Sequence, residues 1–215
     1  MMNSKIEKYI HLVHNFNQYK NITGFKDIDE LKKQGVLDSI AVMELASQIN
    51  FDFKSKKIAD IGAGAGFPSL PHLLKNNDYF LTIIEGMQSR CEFLNNVKNS
   101  LQIANFNIVN ERAENTKQYS QNFDLVTARA VSSIKNMFML SHHLLKLNGY
   151  LFLPKGKKYD EELNEFLIKF PNEKENVSVL KYVNSLNEYS FVVVIKKTKH
   201  SPKNWPLSWK QIKDF

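Results

Sequence analysis

Asp60-Ile61-Gly62-Ala63-Gly64-Ala65-Gly66-Phe67 is the stretch on which the fold of this chain turns. It grows out of Lys57-Ile58-Ala59-Asp60-Ile61, a short apolar strand. It leads into Pro68-Ser69-Leu70-Pro71-His72-Leu73-Leu74, where proline in the first turn marks a helix start. Alternating glycines at a strand end let the backbone pass close to a ligand, because a Cβ there would collide with it. A dinucleotide-binding loop needs its third glycine three positions after the second, and Phe67 stands there instead. A tight strand-to-helix turn and a loop for some other nucleotide both remain open.

Upstream, Ile6, Tyr9, Ile10, Val13 and Phe16 recur at helical spacing between Ser4 and Tyr19. A second helix is expected from Asp29 to Ile49. Downstream, strands are expected at Phe80 to Ile84, Asn107 to Val109, Phe123 to Thr127 and Gly149 to Leu153. Helices are expected between them at Gln88 to Leu101 and Ile134 to Lys146, with another at Tyr159 to Phe170. Alternating strands and helices predict an α/β fold, a mainly parallel sheet with helices on both faces. Val177 to Val183 and Tyr189 to Lys196 read as a closing antiparallel pair. Residues 1–50 read as a helical N-terminal extension, 51–197 as the main domain and 198–215 as a basic tail.

Four positions add chemistry to the loop. Glu85 ends the second strand, where a carboxylate can accept hydrogen bonds from both hydroxyls of a ribose. Glu111-Arg112-Ala113-Glu114 follows the third strand, where backbone N–H groups and a carboxylate can read an adenine; acidic residues favouring a helix N-terminus would look the same. Arg129 follows the fourth strand and Lys155 the fifth, at the carboxyl ends that form the crevice of an open α/β sheet. Each could instead be a surface ion pair. His72, His142 and His143 have no ligand spacing between them, and no metal is expected. Cys91 and Met137-Phe138-Met139 read as core, and Asp160-Glu161-Glu162 as a charge cluster at a helix start.

The chain has 215 residues, of which 43% are hydrophobic, including 15 Phe and 8 Tyr, enough to bury one domain's core. No run approaches the ~18 apolar residues of a membrane span. One cysteine excludes an internal disulfide framework and fits a reducing cytoplasm. The formal charge of +7 favours an anionic partner. From Lys196 onward, Lys197, Lys199, Lys203, Lys210 and Lys213 interleave with Trp205 and Trp209, a pattern suited to phosphate contact and base stacking. An unstructured basic terminus is the plainer alternative.

The glycine loop resembles the methionine-binding loop of class I, Rossmann-like methyltransferases, and the closing strand pair resembles their seven-stranded sheet. More specifically, Tyr19 to Gly156 resembles the bacterial 16S rRNA guanine-N7 methyltransferase family, also called glucose-inhibited division protein B. The resemblance is carried by Asn21-Ile22-Thr23, Leu37-Asp38-Ser39, Asp60 through Pro68, Arg90 with Phe93-Leu94, Arg112-Ala113-Glu114, Phe123-Asp124, Arg129-Ala130 and Lys155-Gly156. It implies transfer of a methyl group from S-adenosylmethionine to guanine N7 in a decoding-region loop of 16S rRNA. Gly62, Phe67, Ala113, Glu114 and Arg129 would contact the cofactor, beside Gly64 and Glu85. Arg129 and Lys155 would be the catalytic residues, donating to guanine O6 or a nearby phosphate. The expected setting is a cytoplasmic monomer acting on 16S rRNA or the small ribosomal subunit.

The sequence departs from that family at Gly35, where a histidine is usual, at Ser69 in place of glycine and at Ser89 in place of lysine. Two other classes of function compete. One is a small-molecule or protein methyltransferase of the same fold, and the other an idle RNA-binding protein that kept it. No Asn/Asp-Pro-Pro-aromatic stretch follows the fourth strand, which disfavours amino methylation of DNA. Cys91 lies within a helix and is badly placed to attack a pyrimidine.

Overall fold

The computed structural model describes residues 4–215. Seven strands form one sheet: β1 (Lys57–Ile61), β2 (Phe80–Ile84), β3 (Phe106–Val109), β4 (Phe123–Thr127), β5 (Leu145–Lys155), β6 (Val177–Val183) and β7 (Tyr189–Lys196). Their order is β3-β2-β1-β4-β5-β7-β6. The first five run parallel, and β7 lies antiparallel to both β5 and β6. Side chains alternate across the sheet, so both faces are apolar. Ile58, Leu81, Ile83 and Leu125 face one layer. Ala59, Ile61, Ile84 and Val126 face the other.

Helix α1 (Ser4–Asn17) buries the Ile6, Tyr9, Ile10, Val13 stripe on the first layer. The same layer holds α2 (Ile28–Glu30), α3 (Asp38–Glu44), α4 (Ser69–Asn76) and α5 (Gln88–Leu101). The second layer is α6 (Ile134–Ser141), α7 (Tyr159–Lys169) and α8 (Trp209–Asp214). Among the described residues, no helix is long and apolar enough to cross a membrane.

Two expected helices have different limits. The Asp29 to Ile49 stretch is broken, because Leu31–Leu37 winds more widely than an α-helix between α2 and α3, and Leu45–Ile49 winds more tightly. Gly35 lies in the wide stretch. A Cβ on it would stand 2.9 Å from Phe25 Cε2 and 3.1 Å from both Leu31 Cδ1 and Phe67 Cζ. Phe25 thus fills room that a histidine at position 35 would need. The second case is α6, which stops at Ser141 rather than Lys146. The carbonyls of His143 and Leu144 accept from Gln121 N (2.8 Å) and Phe123 N (3.0 Å), so Leu145 begins β5 beside Phe123.

Residues 198–215 fold back onto the second layer. Trp205 packs edge-on to Phe138, His142 and Phe170, and Leu207 and Ile212 are buried. Ser208 and Gln211 cap α8 reciprocally. The expected base-stacking role of Trp205 and Trp209 is therefore corrected: both rings pack against the core. Lys197 is corrected as well. It is 2% exposed, and its Nζ donates to His142 O and Leu145 O, each at 2.8 Å, and to Ser201 Oγ at 3.3 Å. Loss of water lowers its pKa to about 8. Lys199, Lys203, Lys210 and Lys213 remain exposed.

Lys197→Met should leave two buried carbonyls without a donor and cost about 2 kcal/mol or more. In a protein of this size that lowers Tm by roughly 4–8 °C, read by differential scanning calorimetry. Lys199→Met should leave Tm unchanged.

Candidate active site

The glycine loop leaves β1 with Gly62, Gly64 and Gly66 all at positive φ. Gly64 has φ +58°, and a Cβ on it would make only ordinary contact with Ile22 O at 3.7 Å, so the left-handed backbone rather than crowding by the protein calls for glycine there. Gly66 is a glycine for another reason. With φ +114°, its Cβ would strike Leu70 at 2.8 Å and crowd Tyr9 Oη at 3.3 Å, so helix packing rather than a ligand excludes a side chain there. Helix α1 holds the loop from behind. The buried Tyr9 hydroxyl donates to Ala65 O at 2.8 Å, and burial raises its pKa far above the ordinary tyrosine value. Asn17 orders Asn21-Ile22-Thr23 by accepting from Ile22 N and Thr23 N through Oδ1 (2.9 and 3.0 Å).

Glu85 follows β2 and is 3% exposed. Its Oε2 accepts from Gly64 N at 3.3 Å and lies 3.6 Å from Arg90 Nη1, while Oε1 accepts from Met87 N at 3.0 Å. The second strand end and the glycine loop thus meet through one carboxylate. Asn110, at the end of β3, donates to Glu85 O at 3.1 Å and extends the same rim.

Asp60 was not among the expected site residues, yet it is wholly buried. Ser69 supplies two donors to its Oδ2, from Oγ at 2.6 Å and from N at 3.2 Å. Burial pushes its pKa up to about 7, although the Ser69 bonds and the Arg129 charge pull the other way. Asp60 Oδ1 has no partner, and neither does Thr127 Oγ1. The two residues are paired in register on β1 and β4, so two orphaned polar atoms belong to one face of the sheet beneath the loop. Buried polar atoms without partners are rare, and they mark a place where a donor or water fits.

Arg129 follows β4, with its guanidinium carbon 5.0 Å above the Phe67 ring. Burial lowers its pKa while Asp60 opposes the shift. Ala130 next to it is held at φ +58°, a strained turn for a residue with a Cβ. Lys155 is the last residue of β5 rather than just beyond it, and Nζ donates to Glu162 Oε2 (2.7 Å) and Ser132 O (2.8 Å). Arg129 and Lys155 line one cleft of about 470 Å³ with Glu162 and Tyr182. Ala113 is buried against the second layer, and Glu114 faces Arg112 at 3.8 Å. Arg112 Cγ lies 3.4 Å from the Cβ position of Gly86, which brings this segment beside the residue that follows Glu85.

Comparison with known proteins gives this arrangement its context. Residues 2–190 match the family model described as rRNA small subunit methyltransferase G. The chain belongs to this family. Its relatives, each called ribosomal RNA small subunit methyltransferase G, include one from Acholeplasma laidlawii, 37% identical over 75% of this chain and 68% of the relative. Another, from Mycoplasmopsis pulmonis, is 33% identical over 97% and 90%. Among solved structures, the O-methyltransferase TomG of Streptomyces achromogenes in complex with SAM superposes with TM-score 0.60 at 13% identity, covering 92% and 91% of the two chains. A SAM-dependent methyltransferase from Aquifex aeolicus gives 0.57 at 16% identity, over 91% and 99%. These last two likenesses establish the methyltransferase fold. The methyltransferase G family membership adds an S-adenosylmethionine-dependent enzyme acting on rRNA.

In this methyltransferase G family member, Tyr9, Asp60, Asn110 and Glu162 were not assigned to the site from the sequence. Asp60 was visible as the acid closing the strand before the glycines. The others needed the tertiary fold.

The raised pKa of Asp60 makes a signed prediction. The folded state holds its proton between the ordinary value near 4 and about 7, so stability falls as pH rises through that window. Asp60→Asn, which cannot ionise, should gain stability over wild type at pH 8 relative to pH 5. Thermal melts of both proteins without cofactor check this, and a pH-independent difference would mean that Asp60 ionises normally.

Proposed function

We propose that this chain methylates N7 of a guanine in a decoding-region loop of 16S rRNA, using S-adenosylmethionine held at the glycine loop. The observation that carries it is the convergence of the loop, Glu85, Arg129 and Lys155 at the carboxyl ends of β1, β2, β4 and β5. That is where ligands bind in open α/β sheets.

The residues fit the cofactor group by group. The loop, left-handed at Gly62 and Gly64 and followed by Phe67, would hold the methionine portion. The orphaned Asp60 Oδ1 suits an ammonium group. Glu85 suits the ribose hydroxyls, and Ala113 and Glu114 suit the adenine edge. Bound there, S-adenosylmethionine supplies a methyl group on a sulfonium centre. Guanine N7 offers an in-plane lone pair and carries no proton, so the chain needs no general base. Its work is alignment and a site that tolerates the methylated base's positive charge. In this reading Arg129 and Lys155 touch the base or its phosphate. Residues 51–197 form the catalytic domain, flanked by the extension at 1–50 and the segment at 198–215. The enzyme acts as a monomer in the cytoplasm.

Gly64→Val should abolish S-adenosylhomocysteine binding in isothermal titration while circular dichroism stays normal, because the branched side chain would stand where the methionine portion lies. Affinity within a few-fold of wild type would remove the loop from the cofactor site. Tritium transfer from labelled S-adenosylmethionine tests the substrate, with small subunits from a strain lacking this modification as acceptor. The expected product is one 7-methylguanosine in 16S rRNA, mapped by mass spectrometry of nuclease fragments. Cofactor binding without label in RNA would point to the small-molecule or protein alternative, and label on another atom would overturn the N7 assignment.

A further inference from the structure

We propose that the Lys155–Glu162 pair selects guanine as the acceptor base by reading its O6, N1–H and 2-amino group together. The proposal rests on the function argued above and names the part of the site that chooses the base. Both side chains line the cleft that contains Arg129 and Tyr182. Lys155 is 11% exposed at its side chain and Glu162 33%, so the pair is shielded on the protein side and open toward the cleft.

Counting donors and acceptors shows what the pair still offers. A lysine ammonium has three N–H donors. Two of those on Lys155 go to Ser132 O at 2.8 Å and Glu162 Oε2 at 2.7 Å, which leaves one. A carboxylate has about four acceptor positions. Glu162 Oε2 accepts from Lys155 and from Ile134 N at 3.0 Å, whereas Oε1 receives nothing among the described residues. The remaining array is one donor beside two acceptor positions.

Guanine presents the complement. Its O6 accepts, and next to it N1–H and the 2-amino group donate. Adenine reverses the first two positions, with an amino donor where O6 would be and a bare N1 lone pair facing the carboxylate. Pyrimidines have no N7. Contacts with these three groups also leave N7 uncovered, as the transfer requires. The array is fixed before a base arrives, because Glu162 on α7 ties down the first backbone N–H of α6 and Lys155 is held from two sides. A rigid, partly desolvated polar array rejects a mismatched base strongly, since the mismatch leaves its groups unpaired.

Inosine tests this, because it keeps N7, O6 and N1–H and lacks only the 2-amino group. Small subunits are reconstituted with 16S rRNA carrying guanosine or inosine at the mapped acceptor position, and kcat/KM is measured on each. Wild type should favour guanosine by about tenfold, the worth of one hydrogen bond to a charged group. Glu162→Gln should lower kcat/KM on guanosine and bring the guanosine-to-inosine ratio to within about twofold, as a neutral amide accepts weakly. S-adenosylhomocysteine affinity should stay at the wild-type value in that variant. An unchanged ratio in Glu162→Gln would overturn the proposal. So would equal rates on the two bases in wild type, a comparison that decides even if the variant fails to fold. Absence of transfer to guanosine by wild type would overturn the function itself, and this inference with it.

Discussion

Asp60 carries a carboxylate into the interior of the molecule, near the end of β1, an inner strand of the seven-stranded sheet. Placing an anion there is costly unless donors surround it. The chain supplies only part of that surround. Ser69 at the start of α4 gives two hydrogen bonds to one oxygen, Arg129 adds charge at a distance, and the second oxygen is left bare beside the bare hydroxyl of Thr127. A glycine at position 69 would offer no hydroxyl, so Ser69 ties this acid more firmly than a glycine could. The glycine loop, Arg129 and the start of α4 are all arranged around this one incompletely satisfied group.

What surrounds the loop is braced from remote parts of the chain. Tyr9 reaches from α1 to Ala65, and the wide helical stretch at Leu31–Leu37 brings Gly35 close enough for Phe25 and Phe67 to close over it. On the other side, Asp38 accepts from Ser185 N at 2.8 Å and Ser185 Oγ at 2.9 Å, pinning the β6–β7 turn to α3. The helical extension is therefore part of the site's frame. Phe67 illustrates the result: its ring sits between Tyr9 and Phe25, with Arg129 above it.

The strands were legible because a strand buried on both faces reads as an apolar run between turn signals, and Phe80–Ile84 or Tyr189–Lys196 is such a run. The glycine loop and Glu85 were legible because strand ends in this architecture have few uses. Periodicity failed where backbone partners from elsewhere overrode it. Leu144 and Leu145 continue a helical pattern, but the backbone N–H groups at the start of β4 claim the carbonyls of His143 and Leu144. Lysines after β7 look alike in sequence, and only the carbonyls waiting above Lys197 separate it from Lys199. Glu162 read as one of three acids at a helix start. Its partners Lys155 and Ile134 lie 7 and 28 residues away, a distance that no local pattern spans.

The strand order also governs how the molecule can assemble as it is made. β6 pairs only with β7, and β7 is the strand that joins it to β5. A ribosome emitting this chain therefore releases β6 before anything exists for it to pair with, and the strand waits until residue 196 has cleared the exit tunnel. Domains commonly fold as they emerge, N-terminal parts first. Here the glycine loop and its bracing helix can be in place while the edge of the sheet that borders the Arg129 cleft is still missing. A nascent chain would thus gain its glycine loop before the β6–β7 wall of the Arg129 cleft.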